Sequence, residues 1–89
     1  MKYFAWDEDK NQKLMFERGV SFEICVELIN KELVIDVIEN HPPYEHQRVY
    51  LLNIDDHVYR VPFVEDDEKV FLKTIYPSRK DTKKYFKSN

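Results

Sequence analysis

Apolar positions change their spacing repeatedly along the chain, and each change predicts an element. Residues 2–6 alternate loosely and carry Tyr3, Phe4 and Trp6, a pattern that suits a short first strand. Asp7 is a good helix N-cap, and Glu8 and Asp9 place negative charge where the helix dipole favours it. The helix begun there runs to about Arg18. It stops at Gly19, the chain's one glycine, placed where a left-handed C-cap residue costs least. Ser21 caps a second helix, in which Phe22, Cys25, Val26 and Ile29 recur at i, i+3, i+4 and i+7 and form one apolar face. Two helices joined this closely make an αα-hairpin.

After Asn30 the period shortens. Residues 33–38 form a β-branched run that reads as a strand, apolar enough to be buried on both faces, and His41-Pro42-Pro43 ends it. Residues 48–54 and 57–64 flank Asp55-Asp56, a separation that predicts a tight β-hairpin without its favoured glycine. Pro62 has no N–H to give a ladder, so its strand is either irregular near its end or open on one side there. An acidic turn at 65–68 leads to a strand over 69–76. Pro77-Ser78 then introduces a last helix, with Ser78 and Asp81 at the spacing of a capping box. That helix is basic, carrying Arg79, Lys80, Lys83, Lys84 and Lys87 beside Tyr85. The order predicts one α+β domain over residues 1–89, in which an antiparallel sheet packs against the N-terminal αα-hairpin. Tyr3, Trp6, Phe16 and Phe22 are its expected core anchors.

Composition narrows the class. Apolar residues are 43% of the 89 and aromatics 15%, enough burial to offset backbone entropy, which argues against a disordered chain. Cys25 is alone, so neither an intrachain disulfide nor a cysteine pair for zinc is expected, in keeping with a reducing cytoplasm. Three scattered histidines give no metal-ligand spacing, and no cofactor is expected. No apolar run approaches membrane-spanning length, and residues 1–7 turn acidic where a signal peptide needs its apolar stretch. The net charge of −3 hides a split. Residues 1–68 hold 7 Lys/Arg against 16 Asp/Glu, and residues 69–89 hold 7 against 1, so an acidic body carries a basic end. Such an end attracts phosphate or docks on an acidic partner.

Phe4-Ala5-Trp6-Asp7-Glu8-Asp9-Lys10 followed by Arg18-Gly19-Val20-Ser21-Phe22-Glu23 resembles the opening of BrnT-family toxins, where W-D-x-x-K precedes an H/R-G-V-S-F-E segment. Arg48 matches the family's arginine at the start of the central hairpin, and Ile75-Tyr76-Pro77-Ser78-Arg79-Lys80 is similar to its I-I-S-A-R-K stretch. The resemblance covers nearly the whole chain. It implies a RelE-like fold, ribonuclease activity that blocks translation, and neutralisation by a cognate antitoxin with a ribbon-helix-helix DNA-binding domain, so that DNA is met only through that partner. Where such chains carry an arginine after the central hairpin, this one has Val64-Glu65-Asp66-Asp67-Glu68.

RNA cleavage without a metal needs a base for the 2′-OH, cations for the charge gathering on the phosphoryl oxygens, and an acid for the leaving 5′-oxygen. Arg48, Arg79 and Lys80 are the expected phosphate clamps, with Lys10, Arg60, Lys73 and Lys84 as further RNA-binding candidates. Tyr85 either stacks a base or assists proton transfer, or simply packs on the sheet. His46 and His57 are candidate acids or bases, and His41, in a proline loop, ranks below them. The scheme requires Arg48 and Arg79, distant in sequence, to converge on one concave surface. The alternative is a non-catalytic module of the same fold that binds an antitoxin and tunes transcription.

Overall fold

The computed structural model describes residues 2–86, so Lys87 lies outside the described residues. The elements follow as β1 (Tyr3–Ala5), α1 (Glu8–Arg18), α2 (Phe22–Asn30), β2 (Val34–Glu39), β3 (Arg48–Ile54), β4 (His57–Glu65), β5 (Lys69–Leu72), β6 (Tyr76–Pro77) and α3 (Arg79–Phe86). Together they form a compact α+β fold. None of these helices is long and apolar enough to cross a membrane.

The caps behave as their chemistry requires. Asp7 accepts from the backbone N–H groups of Asp9 and Lys10, and Ser21 from that of Ile24. Gly19 adopts φ 68°, and its N–H closes on the Met15 carbonyl. A Cβ at Gly19 would meet nothing within 4 Å, so the cost of a side chain there is purely conformational. Gly19→Ala should therefore destabilise by about 1 kcal/mol, seen as a Tm drop of roughly 5 °C in thermal denaturation. An unchanged Tm would show that the C-cap contributes nothing. Asn11 ties the two helices across their short connection: its Oδ1 accepts from the Phe22 N–H at 2.8 Å, and its Nδ2 donates to Glu23 Oε1 at 2.7 Å. It is fully buried.

The sheet order is β1-β5-β4-β3-β2, with β6 also pairing β4. The expected antiparallel sheet is corrected here to a mixed one, because β1 runs parallel to β5. The long connection from β1 through the αα-hairpin and the meander permits that crossover. β2 through β5 keep the antiparallel meander. The β3–β4 turn solves its missing glycine with two aspartates, Asp55 at φ 54° and Asp56 at φ 64°, both left-handed as a type I′ turn demands. Asn53 Oδ1 accepts from the Asp56 N–H and braces the turn.

Residues 69–76 are not one strand. β5 pairs the far half of β4, and β6 pairs Tyr59 and Arg60. Pro62 falls between these two partners, at the point where its missing N–H leaves the ladder without a donor. The chain leaves the sheet there, tied by the Lys73 N–H on the Pro62 carbonyl at 2.8 Å, by Arg18 Nη1 on the Ile75 carbonyl at 2.6 Å and by burial of the Ile75 side chain in the core.

The two faces are covered unequally. α1 and α2 cover one with Leu14, Val20, Phe22 and Cys25 over Leu52, Val61, Phe63, Val70 and Leu72. On the other, α3 covers only Val49, Leu51 and Val58, through Tyr85. Two sequence expectations are corrected by burial. β2 is an edge strand, with Val37 40% exposed, because no further strand pairs it in the described residues. Phe16 is 92% exposed and Tyr3 57%, whereas Trp6 and Phe22 stack at 5.7 Å in the core as expected. Phe16 lies off the buried stripe of Asn11 and Leu14 on α1, which explains its exposure.

Candidate functional site

The face that α3 leaves open carries a cleft of about 290 Å³, lined by Asn40, His41, Tyr44, Gln47, Pro62, Lys73, Thr74 and Tyr76. Its floor is set by the strand register. Pro62 lies opposite Val49, and Tyr76 opposite Arg60, and residues directly opposite share a face. Its walls come from two irregular segments. One is the excursion at residues 73–75 that Pro62 imposes. The other is the 40–47 loop, closed by Asn40 N–H on the Gln47 carbonyl, Tyr44 N–H on the His41 carbonyl and Gln47 N–H on the Tyr44 carbonyl.

Asn40 orders this loop and is itself buried. Its Oδ1 accepts from the His41 N–H and lies 3.0 Å from His41 Nδ1. Because an amide oxygen can only accept, Nδ1 is the ring nitrogen that donates in this contact, and no hydrogen bond of Nε2 occurs among the described residues. The His41 and Tyr44 rings stand 6.4 Å apart. The cleft therefore gathers an imidazole, two phenols and the Lys73 ammonium.

Of the residues expected from sequence, Lys73 lies in the cleft, and Arg60 lies behind it with a weaker contact to Tyr76. Arg60 is committed elsewhere: its Nε donates to Asp81 Oδ2 at 2.5 Å. That hydrogen bond raises the Arg60 pKa and, against burial, holds the Asp81 carboxyl below the usual carboxylate range. The predicted capping box is consequently half made. Ser78 Oγ accepts from the Asp81 N–H, but the carboxylate turns to Arg60, and the Ser78 N–H bonds the Val58 carbonyl instead.

Arg48 and Arg79 do not converge. Arg48 sits over the Phe63 ring, on the hairpin face, and pairs with Glu65. Glu65 also binds Lys2 at 2.8 Å, and hydrogen bonds from Lys2 and then Arg48 hold its carboxyl below the ordinary range. The acidic turn thus supplies a counter-ion to the arginine. Arg79 begins α3 beside Val58, five residues from Phe63 along β4, a separation of about 17 Å at strand rise, and on the opposite face.

Arg79 instead shares a hollow of about 280 Å³ with His57, Pro77, Ser78, Thr82 and Lys83. His57 Nδ1 lies 2.9 Å from the Asp55 carbonyl, and the hollow sets this ring beside Arg79 and Lys83, with no tyrosine in its lining. On α3 the i, i+4 spacing sets Asp81 and Tyr85 against the sheet and Arg79 and Lys83 toward that hollow. Lys80 and Lys84 line neither the cleft nor that hollow, and Lys84 Nζ lies 5.3 Å from the centre of the Tyr85 ring. Tyr85 packs in the second core cluster, with its hydroxyl 3.4 Å from Asp36 Oδ2. Lys10 is on α1, across the sheet from the cleft. His46 is exposed on the 40–47 loop outside the cleft lining.

His41, Tyr44 and Tyr76 were not singled out as site residues by sequence reasoning. The usable signal was Pro62, which announced an opening in the sheet without saying what would line it. Cys25 is no candidate nucleophile, since burial pushes its thiol up to about 12. Among the described residues no group of three His, Cys, Asp or Glu side chains is placed to hold a metal. Comparison with known protein families, with curated proteins and with solved structures finds no match to this chain.

Proposed function

We propose that this protein is a metal-independent endoribonuclease of the BrnT-like toxin kind, RelE-like in fold, with its reaction centre in the His41–Tyr44–Lys73–Tyr76 cleft. The observation that carries the reading is the meeting of a free imidazole nitrogen, a phenol and an ammonium in one cleft. His41 Nε2 takes the 2′-OH proton as the 2′-oxygen attacks phosphorus. Lys73 stabilises the added negative charge. The Tyr76 hydroxyl gives its proton to the 5′-oxygen as the P–O5′ bond breaks, leaving a 2′,3′-cyclic phosphate and a 5′-OH. Lys80 and Lys84 of α3 add to the positive field that the acidic body lacks.

The same reading places the protein in the cytoplasm under a cognate antitoxin of the ribbon-helix-helix type, with DNA met only through that partner. Purified protein should cut single-stranded RNA in excess chelator and leave cyclic phosphate ends, and its expression without the partner should stop growth. Intact RNA together with normal growth removes the proposal.

A second reading has its own support: Arg48 and Arg60 are both held in ion pairs, and Arg48 and Arg79 lie on opposite faces. On it, the domain is a non-catalytic module that binds an antitoxin and tunes transcription. A folded protein that binds its partner and cuts no RNA is the result that favours it.

A further inference from the structure

The cleft does not end at Lys73. Lys73 Nζ stands 5.5 Å from the centre of the Phe71 ring, and Phe71 lines a second hollow of about 270 Å³ with Val64, Glu65, Asp66 and Lys69. Register places Val64, Phe71 and Lys69 on one surface. Val64 lies opposite Phe71 and two residues on from Pro62 along β4, so both share the face of the cleft. Lys69 and Phe71 are two apart on β5, and Lys69 is paired laterally with Tyr3 of β1. The open half of the sheet therefore presents Tyr76 of β6 and Phe71 of β5 along one edge of β4, and Tyr3 of β1 beyond β5, with Lys73 and Lys69 among them and Tyr44 on the 40–47 loop.

We propose that this surface is a track for single-stranded RNA, leading from the cleft across β4 and β5 to the β1 edge. It rests on the cleavage reading above and names the form of substrate that reading requires. Aromatic faces separated by cations are what an unpaired strand needs, since each base has a π-face to stack and each phosphate a charge to neutralise. A duplex hides its base faces and gains nothing from such a surface. The stretch from β4 to β1 spans two strand spacings, about 10 Å, beyond the cleft itself.

Of the two acids in the second hollow, Glu65 has its charge matched by Lys2 and Arg48, whereas Asp66, held by the backbone N–H groups of Glu68 and Lys69, stays negative and is offset by the nearby Lys69 and Lys2 charges. Tyr3, by contrast, has 57% of its surface in water, and no hydrogen bond of its hydroxyl occurs among the described residues. An aromatic side chain that exposed contributes little to the core and is free to stack.

The test is a fluorescence anisotropy titration of the full chain with labelled oligouridylate and with an RNA duplex of equal length. Cleavage of a dinucleotide, which reaches only the cleft, is measured beside it. Tyr3→Ala and the volume-conserving Phe71→Leu should each weaken oligouridylate binding about tenfold, as loss of one base–aromatic stack implies. Dinucleotide cleavage should be unchanged in Tyr3→Ala, whose side chain does not line the cleft, and the duplex should bind more weakly than the single strand. Lys69→Gln, at the exposed end, should lessen the salt dependence of binding, and it guards against a folding defect in the Phe71 variant.

Wild-type affinity in both aromatic variants, or a duplex bound as tightly as the single strand, overturns the track. If the variants keep full affinity while wild type cuts RNA, the track alone fails. If wild type cuts no RNA and the aromatic variants still lose oligouridylate, the track stands and the cleavage reading falls.

Discussion

Asp81→Asn should lower the free energy of unfolding by about 2–3 kcal/mol, a large share of what a domain this size possesses. Asp81 is only 5% exposed and holds Arg60, so removing its charge leaves a guanidinium in a poorly solvated place with no counter-ion. This loss falls below the usual one for a buried pair because the Arg60 side chain keeps 20% of its surface in water. Replacing both partners, as Arg60→Met with Asp81→Leu, should restore most of the loss, since an apolar pair needs no compensation. Urea denaturation reads both, and an Asp81→Asn midpoint equal to wild type would contradict the account.

The pair also sets an acid limit. Its hydrogen bond from Arg60 lowers the Asp81 pKa from 3.8. A lowered folded-state pKa gives stability that is complete above the unfolded value and drains as pH falls through the folded one. Asp81→Asn should therefore lose its disadvantage progressively below about pH 4. A constant difference across that range would exclude the ion pair as its source.

The second large effect is on activity. His41→Ala should slow RNA cleavage by at least about 100-fold, the usual contribution of a positioned base, and Lys73→Ala should act on a similar scale by uncovering the phosphoryl charge. His57→Ala should leave the rate unchanged, because His57 belongs to the hollow beyond α3. That contrast tests placement. Loss at His57 with full activity in His41→Ala would move the reaction centre to Arg79 and Lys83. Far-ultraviolet dichroism should be native in all three variants, since each side chain sits at an exposed position.

Local chemistry was readable wherever one residue suffices. Asp7, Ser21 and Gly19 cap their helices as their side chains dictate, and the Asp55-Asp56 turn follows from a two-residue gap between strands. Of the three histidines the one ranked last from sequence, His41, is the one that lines the cleft, and the reason is definite. His41 ranks low as a residue before two prolines, yet the loop that those prolines occupy is folded by Asn40 onto the sheet. Asn40 and Gln47 show no periodic pattern. Their value lies in bonds to each other across the loop, which no spacing along the chain reveals.

The chain's own order of residues decided where helices begin and end, where the hairpin turns and where β4 loses a donor, because each of these depends on neighbours within a few positions. Only the folded molecule decided that Arg48 faces the αα-hairpin while Arg79 faces away, that Asp81 turns from its cap to Arg60, and that β1 closes the sheet in parallel. A strand's side chains alternate between two faces, so a residue's partners depend on register and on which helix covers which face. That is a property of the assembled layers, and it determined that Lys73 lines the cleft while Arg48, Arg60 and Arg79 do not.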